Sequence, residues 1–298
     1  MSNQTVSVVI PSYNHHRYVL QAIESVLAQT WSQVDLIVID DGSSDGSAEL
    51  IQTFWEERGG FTYLRRENRG LIQTLNQGLE LAKGQYFCEL ASDDYLPVDS
   101  LEKRATFLNN HQDCVAVFAD GYMVWDERET KERFLDEKRR RLFDQNDPIP
   151  DLLRGTLPVF ATGLFLTSIL REVGGFDCET FRYYEDLEMP VRLCQKGRVG
   201  FLDEPVFFRR DHETNTSRVT RHIRAEKVCC FEKFVKDPSL SIYRKLIIKS
   251  LCRHYLSLGR YLRQGHGSEQ EKEVFQGAWN FVWRDPRLVW YLLNIKLK

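Results

Sequence analysis

Cysteine is sparse and unpatterned. The seven residues (Cys88, Cys114, Cys178, Cys194, Cys229, Cys230 and Cys252) form no C-x-x-C pair. Several sit inside apolar runs such as Tyr86-Phe87-Cys88, the usage of reduced thiols that pack as small hydrophobes, so neither a disulfide framework nor a zinc site is expected. Long apolar runs are also missing. Val6 to Pro11 and Leu36 to Ile39 fall far short of the roughly 20 residues that cross a bilayer. No basic region followed by an apolar stretch opens the sequence, so no signal peptide is expected. G-x-G-x-x-G and G-x-x-x-x-G-K-[ST] are both lacking, which argues against a dinucleotide-dependent dehydrogenase and a P-loop enzyme. Internal repeats and low-complexity segments are absent. What is there is ordinary globular composition: 298 residues, 42% hydrophobic and 28% charged, enough to bury about three quarters of the unfolded surface.

The formal net charge of −3 hides an asymmetry. Residues 1–220 hold 24 Lys and Arg against 36 Asp and Glu, whereas 221–298 hold 16 against 7. The basic region also carries Trp279, Trp283, Trp290, Tyr255, Tyr261 and Tyr291. One reading is a partner with an anionic surface; the other is a helical subdomain whose aromatics form its core. No aromatic platform interleaves the basic residues, so nucleic acid is not expected.

Over the first 120 residues short β-rich runs alternate with helix-like stretches. Val6-Ser7-Val8-Val9-Ile10 reads as a buried parallel strand. Val19, Ile23, Val26 and Leu27 follow at helical spacing. The pattern continues through strand-like Leu36 to Ile39, Phe61 to Leu64, Gln85 to Leu90 and Cys114 to Ala119, with helix-like stretches between them. This β-α-β-α-β-α-β order predicts an α/β, mostly parallel sheet with helices on both faces. Ligands bind such sheets beyond the carboxyl ends of the strands, which directs attention to Ser12–His15, Asp40-Asp41 and Asp93-Asp94. Taken singly, each is explained by turn chemistry. The charged stretch from Asp126 to Asn146, with Lys138-Arg139-Arg140-Arg141, reads as a solvated helix or loop, with an acceptor-binding loop as the alternative.

Several motifs now stand in a telling order. They are Val8-Val9-Ile10-Pro11-Ser12-Tyr13-Asn14, Val38 to Asp45 (Val-Ile-Asp-Asp-Gly-Ser-Ser-Asp), Asn68-Arg69-Gly70, Asn76-Gln77-Gly78, Ala82-Lys83-Gly84, Ser92-Asp93-Asp94, Gly174-Gly175-Phe176-Asp177, Glu185-Asp186, Arg192 and Arg210-Asp211-His212. Over roughly residues 5–220 their order and spacing resemble the family 2 glycosyltransferases, which have the Rossmann-like GT-A fold. The resemblance implies a GT-A catalytic domain over 1–220, with a nucleotide-sugar-binding half (1–120) and an acceptor and base half (121–220). A basic helical region over 221–298 would follow.

The resemblance also implies roles. Tyr13 would stack on a pyrimidine and Asp41 would accept its ring N–H, with Pro11, Ser12, Arg69, Asp93, Arg210 and Arg218 completing the donor site. Asp94 and His212 would hold Mg²⁺ or Mn²⁺, for which carboxylate oxygens are suitable ligands. Many members carry D-x-D-D where this chain has Ala91-Ser92-Asp93-Asp94, so one carboxylate is missing. In Glu185-Asp186 the second acid would be the base that takes the acceptor proton, a role that contributes about 10²–10⁴-fold. The expected activity is inverting transfer from a UDP- or dTDP-sugar, dTDP-L-rhamnose included. The acceptor would be a saccharide or lipid-linked hydroxyl in polysaccharide or lipopolysaccharide synthesis, and the enzyme would work in the cytoplasm, peripherally attached to the inner membrane. A sugar nucleotidyltransferase and a non-catalytic saccharide-binding protein are the alternatives.

Overall fold

The computed structural model describes residues 4–125, 128–180, 185–212, 223–266 and 268–289. The chain divides into two compact units. In the first, Val6–Ser12 (β1), Val19–Leu27 (α1), Val34–Asp41 (β2), Ser47–Arg58 (α2) and Thr62–Arg66 (β3) succeed one another. Leu71–Leu81 (α3), Tyr86–Glu89 (β4), Ser100–Asn110 (α4) and Cys114–Trp125 (β5) come next. Arg128–Arg133 (β6) and Glu137–Arg140 (α5) precede Ile149–Leu153 (α6), which belongs to the second unit. The first unit then resumes with Leu164–Leu166 (β7), Thr167–Glu172 (α7), Glu185–Lys196 (α8) and Arg198–Asp211 (β8).

The sheet order is β3-β2-β1-β4-β7-β5-β6, with β8 paired to β5. Strands β1 to β4 run parallel, β7 is antiparallel to both β4 and β5, and β5 and β8 are parallel. The first five residues of β1 are all buried, as a strand covered on both faces must be. Successive strands move outward from β1 to β3, and β4 then returns to the other side of β1. The crevice beyond the carboxyl ends of β1 and β4 is therefore the switch point where such sheets bind ligands.

The charged stretch after β5 differs from the expectation of a helix or loop, because it opens with an edge strand, β6. Its charges are paired across strands: the Arg133 guanidinium reaches Asp120 at 2.7 Å and Asp203 at 2.6 Å. Strand β8, unread in the sequence, carries the chain back along β5 until Asp211 lies opposite Trp125.

In the second unit Ile223–Lys236 (α9), Arg244–Arg263 (α10) and Glu269–Gln276 (α11) accompany α6. Ile247, Leu251, Tyr255, Leu258 and Leu262 bury one face of α10 at the spacing of an amphipathic helix. The aromatic C-terminal stretch is split between buried and exposed side chains. Phe275 and Leu288 are fully buried and Phe281 lies 5.9 Å from the buried Tyr255 ring, whereas Trp279 and Trp283 are 47% and 64% exposed. Trp290 and Tyr291 lie outside the described residues.

Gly78 is where α3 meets β1. A Cβ there would lie 2.5 Å from Val9 Cγ1, so only glycine permits this approach. Alanine favours an isolated helix by about 1 kcal/mol over glycine, but overpacking costs about 1–3 kcal/mol. Gly78→Ala should therefore lower the thermal midpoint, and Val9→Ala in the same chain should recover part of that loss. A stabilised single variant would show that α3 and β1 are not packed this tightly.

Candidate active site

The loop after β1 is built by side chains that close onto the loop after β2. Asn14, in the left-handed region at φ 54°, accepts the Ser44 amide at 2.8 Å, and its own amide donates to Ser43 Oγ at 2.9 Å. The His15 amide donates to Ser47 Oγ at 3.1 Å. Asp40 holds Ser43 through its amide and hydroxyl, at 3.0 and 2.6 Å. This bracing leaves Tyr13 half-exposed at the rim (49%). Ser12 beneath it is fully buried, and its Oγ has no hydrogen-bond partner.

Asp41 closes the carboxyl end of β2 and is 4% exposed. Its carboxylate accepts the Arg69 and Gly70 amides at 2.9 and 2.8 Å and pairs with Arg66 Nη1 at 2.8 Å. Arg66, which the sequence reading did not single out, thus neutralises the expected base-reading acid. The four lone-pair sites of a carboxylate still leave room for one further donor. The Arg69 side chain is exposed beside it.

Beyond β4 the chain turns through Ser92-Asp93-Asp94, all buried. Asp93 Oδ2 lies 3.0 Å from His212 Nε2 and 3.7 Å from His15 Nε2. His15 Nδ1 and Ser92 Oγ share a hydrogen bond at 2.8 Å, and the His212 ring stacks on Tyr18 at 4.9 Å. One ligand atom from each of His15, Asp93 and His212 falls within 4.8 Å of the others. Burial lowers the His15 pKa, as does the His212 charge, against the opposing pull of Asp93, so the imidazole tends to stay neutral. Burial raises the Asp93 pKa, but the His212 hydrogen bond and the two imidazolium charges together bring it below the ordinary range. Two imidazole nitrogens and one carboxylate oxygen are a donor set that fits a divalent cation.

Asp94 does not join this cluster. Its Oδ1 accepts the Arg210 amide at 2.8 Å. Burial, followed by the Asp93 charge, pushes its carboxyl well above the ordinary range. Arg210 is 4% exposed; its guanidinium lies over the rings of Tyr95 (4.5 Å) and Tyr18 (5.0 Å) and donates to the Asp93 carbonyl and to Gln21. It supports the Asp93-Asp94 loop from behind. Of the expected pair, then, His212 faces the cluster and Asp93 stands where Asp94 was expected. His15 completes the set; its position directly after the first strand was the only signal the sequence offered.

Asp186 lies in the first turn of α8, and its Oδ1 accepts the Phe160 amide at 3.3 Å. Acids at this end of a helix are favoured by its dipole. Glu185 begins the same helix, its side chain outside the description, and Arg218 lies outside the described residues. Arg192 serves structure: it binds Glu188 through Nε at 2.9 Å and the Val173 carbonyl at 2.8 Å. Asn76 clamps the Gly175-Phe176 turn, donating to the Phe176 carbonyl at 2.7 Å and accepting its amide at 2.8 Å.

Comparison with known proteins gives this arrangement a class. The profile described as "Glycosyl transferase family 2" matches residues 7–172, and the chain belongs to that family. It is a glycosyltransferase with the GT-A fold, which sets aside the nucleotidyltransferase and non-catalytic readings. An uncharacterised glycosyltransferase of Rickettsia typhi is 27% identical over 252 residues, covering 85% of this chain and 77% of that protein. TuaG of Bacillus subtilis, assigned by its name to teichuronic acid biosynthesis, is 30% identical over 199 residues, covering 66% and 74%. Among solved structures, S. aureus TarS 1–349 in complex with UDP superposes with a TM-score of 0.67 at 17% identity, covering 95% of this chain and 82% of that one. The mannosyltransferase PcManGT of Pyrobaculum calidifontis, in complex with GDP-Man and Mn²⁺, gives 0.61 at 17% identity, covering 98% and 84%.

One acid was missed altogether. Glu89, the last residue of β4, is 6% exposed, and its Oε2 has no hydrogen-bond partner. Burial, with the Asp186 charge added, pushes its carboxyl from 4.5 up to about 8. Between about pH 4.5 and 8 the folded protein therefore keeps a proton that the unfolded chain has released, so Glu89 lowers stability progressively as pH rises through that window. Glu89→Gln should raise the thermal midpoint, and the gain should grow from pH 5 to pH 8. A gain independent of pH would show that Glu89 is ionised in the folded state.

Proposed function

We propose that this glycosyltransferase moves a sugar from a nucleoside-diphosphate donor, UDP- or dTDP-linked and dTDP-L-rhamnose included, to a saccharide or lipid-linked hydroxyl, with inversion. The observation that carries this reading is the convergence at the switch-point crevice of an exposed stacking ring, Tyr13, and the His15–Asp93–His212 cluster. Asp186, held by the Phe160 amide in the same unit, supplies the base. The UDP bound in TarS and the GDP-Man and Mn²⁺ bound in PcManGT support a nucleotide-sugar donor with a divalent cation. TuaG's assignment to a cell-surface polymer supports a polysaccharide or lipopolysaccharide product.

Tyr13 stacks on the base, and Asp41 accepts the ring N–H at the lone-pair site that Arg66 and the two amides leave. With Nδ1–H donated to Ser92, His15 presents its Nε2 lone pair alongside Asp93 and His212. Bound there, Mn²⁺ or Mg²⁺ supplies positive charge against the diphosphate. Asp186 takes the acceptor O–H proton as the acceptor oxygen bonds to the anomeric carbon. The bond from that carbon to the diphosphate oxygen breaks on the opposite face, its electron pair leaving with the nucleoside diphosphate. A single displacement inverts the anomeric centre. Pro11 and Ser12 shape the floor, and Arg69 and Arg218 contribute charge at the donor.

A donor panel read by release of UDP or dTDP identifies the substrate. Asp186→Asn should lower turnover about 10²–10⁴-fold with nucleotide affinity intact. His15→Ala and His212→Ala should each weaken Mn²⁺ binding followed by electron paramagnetic resonance. Imidazole donors favour Mn²⁺ over Mg²⁺, so wild type should hold Mn²⁺ more tightly. Full activity in Asp186→Asn would exclude it as the base, and unchanged Mn²⁺ binding in both histidine variants would exclude the cluster.

We further propose that the second unit rests on an anionic membrane, which would bring the enzyme to a lipid-linked acceptor at the inner membrane. Among the described residues no helix is long and apolar enough to cross a bilayer. Exposed Trp279 and Trp283, with Arg284 lying over the latter at 4.4 Å, suit an interface instead. Basic residues near such a surface contribute about 1 kcal/mol each. Salt-sensitive co-sedimentation with anionic vesicles should fall in Trp279→Ala/Trp283→Ala. Equal pelleting of variant and wild type would remove these residues from any membrane role.

A further inference from the structure

Arg104 on α4 is the largest fully buried side chain among the described residues, and it is a cation. Its guanidinium meets only neutral acceptors: the carbonyls of Thr162 (3.2 Å) and Gly163 (2.9 Å), Cys88 Sγ (3.3 Å), the Ser100 carbonyl (3.3 Å) and Ser100 Oγ (2.9 Å). Among the described residues no carboxylate lies within 4 Å of it. A buried charge without a counterion is costly. A neutral residue of similar volume would fill the space at less cost if filling were all that was needed.

What the charge holds is the turn at 159–163. The Thr162 amide donates to the Val159 carbonyl at 3.0 Å, and the Gly163 amide donates to the Phe160 carbonyl at 2.8 Å. The Phe160 ring is clamped, stacked on Phe165 at 4.7 Å and edge-on to Phe176 at 5.6 Å. Two carbonyls at one end of this turn face Arg104, while the amide at its other end, that of Phe160, donates to Asp186. The same guanidinium is fastened to β8, because Ser100 Oγ donates to the Val206 carbonyl at 2.6 Å. Four residues on, β8 carries Arg210, and it delivers His212 to Asp93. Arg104 therefore joins the element that ends at the donor cluster to the turn that holds the acid on α8.

We infer that Arg104 is a positioning residue for Asp186: through the 159–163 turn it fixes that carboxylate relative to the His15–Asp93–His212 cluster. This rests on the reading of Asp186 as the base. A displacement of about 1 Å at a reacting group costs on the order of 10²-fold in rate, so loosening the turn should show in turnover and not in donor binding.

The test uses the full-length enzyme and follows turnover, acceptor KM and the dissociation constant of the nucleoside diphosphate. Arg104→Met, which removes every donor while keeping length, should lower kcat about 10- to 100-fold with nucleotide affinity within twofold. Arg104→Lys, which keeps a buried cation, should recover part of the loss. If the methionine variant does not fold, the lysine variant alone is expected to show the same selective fall in kcat. In the Asp186→Asn background, Arg104→Met should cost nothing further, because the group it positions is already gone. Three results would overturn the proposal: unchanged kcat in folded variants, nucleotide affinity falling in step with kcat, or full additivity with Asp186→Asn. Wild-type turnover in Asp186→Asn itself would instead remove the base assignment, and this proposal with it. An inactive Asp186→Asn beside a fully active Arg104→Met removes Arg104 alone.

Discussion

Like-charge repulsion in a poorly hydrated place shapes this site more than any single bond. Asp41, Glu89, Asp93 and Asp94 are all at least nine-tenths buried at the carboxyl edge of one sheet, with Asp186 acting on Glu89 from α8. Buried carboxylates ionise together only when each finds its own compensation. Each has found a different one. Asp41 has a guanidinium and two amides, Asp93 has two imidazoles, Asp94 accepts the Arg210 amide yet is still pushed toward its protonated form, and Glu89 keeps its proton. Because the compensations differ, the acids differ in character, and so can differ in task.

These compensations come from distant stretches of chain, which explains the supporting architecture. Arg210 reaches Gln21 and Asp93 from β8, and its guanidinium lies over the Tyr18 and Tyr95 rings. Aromatic faces attract a cation and help it remain buried. Strand β8 can bring that residue home only because it runs parallel to β5 with three register shifts. Such irregularities bend a strand and are common beside functional sites.

Much of this was legible in the chain. The alternation of β-branched runs with helically spaced apolar residues predicts the parallel sheet, and the motifs at the strand ends mark its crevice correctly. The motif glycines have local physical reasons: at Gly42, φ is 80° and a Cβ would lie 2.7 Å from the Asn68 amide nitrogen. The partners of those motifs were not legible. Arg66, Glu89 and Arg104 sit in runs where alternation and helical spacing assign only a face, and a face does not reveal which distant group a side chain will meet. Strand β8 contains Pro205 and the acids Asp203 and Glu204, which mask its β character. The assignment of Asp93 against Asp94 turns on which way two adjacent side chains point, and adjacency in sequence leaves that undetermined.

The donor cluster also bears on how the protein is made. His15 and Asp93 belong to the first third of the chain, but His212 lies 119 residues after Asp93. During synthesis at about 5–20 residues per second, the ribosome takes roughly 6–24 s to pass from one to the other. Throughout that interval strands β1 to β4 can already pair, while the crevice beyond them lacks the second imidazole of the cluster. Until β8 emerges, His15 and Asp93 stand without the second imidazole. Placing the last imidazole beyond α8 means that the cluster is completed only after α8 and its Asp186 have been made.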